Sequence, residues 1–273
     1  MTPIIDRGSG PPLVIIPGIQ GRWEYVRPAI EALAASFRVL TFPLCGERSS
    51  GLSMDPLRGF DNYAEQIAAV MAQANIHRAT ICGISFGGLA ALRFAATHPE
   101  QTEALVLVST PAPGWHLRPR HQFYARFPRL AGPVFLLETP WRLRAEFAAA
   151  FPQRSARRRF ARSQIRVLLE APLSLTAMAK RALMIGTADT LADCARVVAP
   201  TLVVTGEPRL DHVVPADGSA DYSRLILGAR NTMIERTGHL GSITRPDAFA
   251  AAIRDFSVAR VAVGRQASEH DAA

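Results

Sequence analysis

The chain has 273 residues, 48% of them apolar and 20% charged, with a net charge of +8. That much apolar side chain can bury a large core and argues against general disorder. The sequence has no run of about 18 apolar residues that could span a membrane, and Met1–Arg7 carries no basic region followed by an apolar stretch, so a cytoplasmic protein without stable membrane insertion is expected.

Ile4-Ile5-Asp6 and Leu13-Val14-Ile15-Ile16-Pro17 read as two strands around the turn-forming Gly8-Ser9-Gly10-Pro11-Pro12. The second run is apolar without alternation, the pattern of a parallel strand covered on both faces. It leads into Pro17-Gly18-Ile19-Gln20-Gly21, whose glycines let backbone N–H groups point at a ligand. Val26, Ile30, Leu33 and Phe37 then recur at helical spacing behind Pro28. Arg38–Phe42 is a further strand. Asp61 is placed to cap a helix that buries Ile67, Val70, Met71 and Ala74. Next comes Ala79–Phe94, an apolar run, then G-x-S-x-G around Ser85, then a helical pattern that His98-Pro99 closes. Ala104–Ser109 is another unbroken apolar strand. Strand and helix alternate, which predicts an α/β fold with a mostly parallel, doubly wound sheet.

The rhythm breaks between Trp115 and Ile185, where only helical patterns appear, interrupted at Pro128, Pro133, Pro140, Pro152 and Pro172. Phe123, Phe127, Val134, Phe135, Leu136, Leu137, Phe147 and Phe151 need burial, so residues 115–185 are expected to fold as a helical cap rather than a linker. The stretch from Trp115 to Arg181 holds fourteen Arg or Lys against three Glu, a local balance of +11 within a total of +8, which leaves −3 for the rest. Arg154, Arg158, Arg162 and Arg166 share one helix face, with Arg157 and Arg159 beside it. This face suits at most a modest attraction for an anionic substrate; no nucleic-acid module accompanies it, and no nucleic-acid partner is expected. Strands resume at Thr201–Gly206 and Asn231–Arg236, and a last helix from Pro246 buries Phe249, Ile253 and Phe256. The core is thus expected over 1–114 and 186–257, with the cap inserted before the last two strands and a frayed tail over 258–273.

A serine hydroxyl needs a base, and the base needs an acid that fixes its tautomer. Ser85 lies at a sharp strand-to-helix turn, where Gly83 and Gly87 avoid collision between converging backbones and the helix start offers free N–H groups. His239, in Thr237-Gly238-His239-Leu240-Gly241 just past a strand, is the best placed of the seven histidines, with His212 its rival. For the acid, Asp211 and Glu207 both lie on the loop after Thr201–Gly206, at the carboxyl edge where parallel sheets build sites. Cys45, Cys82 and Cys194 are odd in number and in no C-x-x-C arrangement, so neither a disulfide framework nor a zinc site is expected, and no metal or cofactor.

The order Ser85, Asp211, His239, each just after a strand, together with Gly83-Ile84-Ser85-Phe86-Gly87-Gly88, resembles the α/β-hydrolase superfamily over about residues 4 to 257. The resemblance implies Ser85 as nucleophile, His239 as base, Asp211 as its partner, an oxyanion hole from the N–H groups of Phe86 and Ile19, and a cap at residues 115–185. Two features depart from the family pattern: Pro17-Gly18 replaces the usual His-Gly, and the gap from Gly206 to Asp211 is long, which leaves Glu207 as an alternative acid. The spacing within Asp211-His212-Val213-Val214-Pro215 favours Asp211. Relatives that open epoxides or displace halide carry aspartate at the serine position, so the implied chemistry is attack on the carbonyl of a small-molecule acyl substrate: an ester, thioester, lactone or C–C bond next to a ketone. Acyl transfer and a non-catalytic binding role are the alternatives. Gln20, Arg22 and Trp23 on the oxyanion loop are the candidate pocket residues.

Overall fold

The apolar runs without alternation form the middle of a sheet that is covered on both faces. The computed structural model describes residues 2–270, with side chains through Arg260. Among the described residues seven strands form one sheet: β1 (Ile5–Arg7), β2 (Pro12–Ile16), β3 (Arg38–Thr41), β4 (Ala79–Ile84), β5 (Thr102–Val108), β6 (Thr201–Thr205) and β7 (Arg230–Met233), in the order β1-β3-β2-β4-β5-β6-β7. Every neighbouring pair is parallel except β1 with β3. The helices are α1 (Arg27–Leu33), α2 (Asp61–Gln73), α3 (Phe86–Thr97), α4 (Pro119–Arg126), α5 (Pro128–Arg142), α6 (Arg144–Ala150), α7 (Arg154–Glu170), α8 (Leu175–Met184), α9 (Thr190–Arg196), α10 (Ala216–Ala220), α11 (Tyr222–Leu225), α12 (Gly241–Thr244) and α13 (Pro246–His270). None is long and apolar enough to cross a membrane among the described residues.

Successive side chains of a strand point to opposite faces. Leu13 and Ile15 therefore pack with Ile30 and Leu33 of α1 and with Phe249 and Ile253 of α13, while Val14 and Ile16 pack with Ile67 and Met71 of α2 and Leu89 and Leu92 of α3. Burying each such side chain contributes about 1.5–3 kcal/mol, and a polar residue in either set would lose water without gaining a partner. This is why β2 shows no polar alternation.

The topology also decides which loops meet. The chain leaves β2 for β3 on one side and returns to β4 on the other, so the loops after β2 and β4 flank the point where strand order reverses, a usual place for a ligand crevice. Ile16 sits in register with Gly83, which puts Pro17–Gly21 beside Ser85. The loops after β6 and β7 emerge next to each other on the same carboxyl edge. The helices expected to form a cap, α4 to α8, enter between β5 and β6.

Several local expectations change. Asp61 is the first residue of α2 and makes no cap bond; its carboxylate takes the Arg93 guanidinium at 2.6 Å. Pro133 and Pro140 lie inside α5 and do not end it; both side chains are exposed, so the rings need no room in a packed interface, although each removes a helix donor. Phe123, Phe127, Val134 and Leu137 are exposed, along with Leu130 and Trp141. A single layer of helices cannot bury every side, and Trp141 is open to a cavity beside the Asp211 loop. The final helix runs on to His270, past the point where a frayed tail is expected; residues 271–273 lie outside the described residues.

Candidate active site

Ser85 occupies the turn between β4 and α3 with φ 55° and ψ −120°, a backbone state that a side chain adopts only when its surroundings enforce it. Its N–H donates to the Val108 carbonyl at 2.7 Å, and its own carbonyl accepts from the Gly88 N–H at 2.8 Å. A methyl group at Gly83 would meet the Gly87 carbonyl oxygen at 2.2 Å, and one at Gly87 would meet the Ile16 carbonyl oxygen at 2.3 Å. Both glycines are thus required by the crossing of strand and helix.

His239 and Asp211 converge on this serine from the neighbouring loops. The His239 Nε2 lies 3.0 Å from Ser85 Oγ, and its Nδ1 lies 3.3 Å from Asp211 Oδ2. The other carboxylate oxygen, Oδ1, accepts the N–H groups of Val213 and Val214, each at 2.9 Å. Burial alone would push the Asp211 carboxyl up, but the charge and hydrogen bond of His239 and the two amides outweigh it and hold the group below the usual carboxylate value. For His239, burial would lower the pKa, and Asp211 reverses this, so that the imidazole stands above its ordinary value. The arrangement can take a proton from the Ser85 hydroxyl and stabilise the resulting imidazolium.

The rivals lie elsewhere. Glu207 accepts from the Arg236 N–H at 2.7 Å and from Arg209 Nε at 2.7 Å; these bonds hold its pKa down and tie it to the loop surface, away from the imidazole. The exposed His212 contributes only its carbonyl, to Arg142.

Phe86 is the first residue of α3, so its N–H has no carbonyl partner within the helix. Ile19 lies on the loop beside the serine, and its carbonyl accepts from Arg181 Nη1 at 3.2 Å. Arg181 also donates to Glu47 Oε1 at 2.7 Å and to the Cys45 carbonyl at 3.0 Å, with both charged side chains almost wholly buried. A cap residue on α8 therefore fixes the loop that carries the Ile19 N–H. Of the candidate pocket side chains, Gln20 stays beside Gly18, whereas Arg22 pairs with Glu24 and Trp23 packs toward the α1 and α13 layer with Arg27 over its ring.

Sequence reasoning missed Arg181 and also Glu146. From α6, the fully buried Glu146 accepts from Thr237 Oγ1 at 2.8 Å and from the Leu240 N–H at 2.7 Å, gripping the loop on both sides of His239. Burial raises its pKa against the opposing pull of these bonds, and its second oxygen has no partner among the described residues. Among the described residues no group of three or more His, Cys, Asp or Glu is arranged to hold a metal ion.

A sequence model of the α/β hydrolase fold matches residues 11–246. The chain belongs to the α/β-hydrolase family. Among its relatives, a RutD protein of Pantoea ananatis, named for carbamate hydrolysis, is 24% identical over 89% of this chain and 87% of its own length. A pimeloyl-[acyl-carrier protein] methyl ester esterase of Nitrosomonas europaea is 28% identical over 89% of this chain and 94% of its own. The enol-lactonase of Burkholderia xenovorans LB400 superposes with a TM-score of 0.76 at 22% identity, over 93% of this α/β hydrolase and 95% of that chain, a likeness of fold. These proteins are named as hydrolases of different substrates, and this α/β hydrolase is an enzyme of the same broad class.

Proposed function

We propose that this protein is a serine hydrolase that cleaves a small acyl substrate, an ester, thioester, lactone or C–C bond next to a ketone, through an acyl-enzyme on Ser85. The observation that carries this reading is the 3.0 Å approach of His239 Nε2 to Ser85 Oγ with Asp211 on the far side of the ring. As the Ser85 oxygen attacks the carbonyl, its proton passes to His239, and Asp211 stabilises the imidazolium. Negative charge gathers on the former carbonyl oxygen, where the N–H groups of Phe86 and Ile19 are the candidate donors. His239 then gives the proton to the leaving group. Water, deprotonated by the same imidazole, releases the acid and restores Ser85.

The test is turnover of short-chain p-nitrophenyl esters by a set of variants. Ser85→Ala and His239→Ala should each lower kcat by about 10²–10⁴ or more. Asp211→Asn should lower it far more than Glu207→Gln. Full activity in Ser85→Ala would remove the serine from the mechanism, and the reverse ranking of the two acids would transfer that role to Glu207.

A further inference from the structure

A cavity of about 420 Å³ lies where α5 and α6 of the cap face the loop that carries Asp211. Its wall includes Arg118, Arg142 and Arg144, and none of the three has a carboxylate partner among the described residues. The half-buried Arg142 donates to the His212 carbonyl at 3.3 Å and lies over the Phe135 ring. Arg144 stacks on Trp141, 3.6 Å from the ring centroid. Arg120 and His121 add to the same basic cluster, in which Glu138 is taken by Arg120. Asp211 borders the cavity too, but its oxygens are taken by His239, Val213 and Val214. Burial, opposed by the nearby Glu138 carboxylate and helped by Arg118 and Arg120, holds the Arg142 pKa below its ordinary value.

Arg118, Arg120, Arg142 and Arg144 outnumber the nearby carboxylates Glu138 and Asp211, and like charges in excess at a concave surface repel one another until an anion joins them. We propose that this cavity binds a carboxylate or phosphate group, carried either by the far end of the substrate or by a separate small anion. A cationic ligand would add to the repulsion, and an apolar one would leave the guanidinium donors without acceptors. Arginine suits this task because its planar fork meets two oxygens of an oxyanion at once. The arginines singled out on α7 differ: Arg154, Arg158, Arg162 and Arg166 are exposed to water and line no part of this cavity. The substrate form of the proposal rests on the hydrolase reading above; the free-anion form does not.

Two arms test it on the full chain at fixed ionic strength. The first compares kcat/KM for mono-p-nitrophenyl glutarate with that for p-nitrophenyl 5-methylhexanoate, which carries an isopropyl group in place of the carboxylate; a ratio cancels general damage to turnover. One charge-assisted hydrogen bond corresponds to a preference of about tenfold or more for the charged ester. Arg142→Gln and the exposed Arg118→Gln should bring the ratio toward one. The double variant Arg158→Gln/Arg162→Gln should leave it unchanged, because it removes charge from the cap but not from the cavity. The second arm measures binding of inorganic phosphate by calorimetry. A ratio near one together with phosphate binding that Arg142→Gln abolishes assigns the site to a free anion. A ratio near one with no phosphate binding up to about 10 mM overturns the proposal, as does an equal loss of preference in the α7 double variant. Absence of turnover with every ester would count against the hydrolase reading, and the phosphate arm would still decide the cavity.

Discussion

At the scale of single residues, the proposed chemistry depends on two opposing pKa shifts. Asp211 is held low and His239 is held high by the same contact. Only the neutral imidazole can accept the Ser85 proton, so a raised pKa moves the acid limb of the rate profile upward. Activity should climb with pH through a midpoint above the ordinary imidazole value of about 6.5. A midpoint at or below 6.5 for kcat/KM would show that Asp211 does not hold the imidazolium. Asp211→Asn, assayed with a surplus of enzyme, should bring any residual acid limb back down.

At the scale of elements, two cap helices reach into the site, and each does so through one buried charge. Glu146 on α6 is a positioning residue: it holds the His239 loop and its charge favours the imidazolium. Glu146→Gln keeps an acceptor for Thr237 and Leu240 but removes the charge, so the acid limb should shift to lower pH with much of kcat retained. A merely structural role would lower kcat and leave the midpoint in place. Arg181 on α8 faces Glu47 in the interior. Removing one partner leaves a buried charge alone, so Arg181→Ala should cost about 3–5 kcal/mol in denaturant unfolding; a loss below 1 kcal/mol would mean that water reaches Glu47. Neither residue was legible in the sequence. Their partners stand 91 and 134 positions away in the chain, and a glutamate in an alanine-rich helix or an arginine in an arginine-rich cap carries no local signal. Ser85 was legible because its turn needs Gly83 and Gly87 within two residues on either side. His239 was legible because a histidine just after a strand can only meet neighbours on the same sheet edge. The arginine periodicity of α7 was also visible, but spacing alone could not reveal that the arginines lining a cavity are Arg118, Arg142 and Arg144.

At the scale of the whole molecule, one sheet sets four loops along its carboxyl edge and the cap fastens across them. Tyr25 Oη donates to the Ala171 carbonyl at 2.7 Å, Arg27 pairs with Glu170, and Arg181 bonds three groups at once, so these helices are tied to the core beside the Ile19 loop as well as at the His239 loop. Their excess of positive charge faces water along α7 and encloses a cavity between α5, α6 and the Asp211 loop. The proposed chemistry depends on one centre, the hydroxyl of Ser85 beside His239. Intact-mass measurement after treatment with a fluorophosphonate tests that centre most directly. One adduct per chain is expected, mapped to Ser85, absent in Ser85→Ala and formed much more slowly in His239→Ala. An adduct that persists in Ser85→Ala, or an unmodified chain after prolonged treatment of folded protein, would contradict a serine nucleophile at this turn.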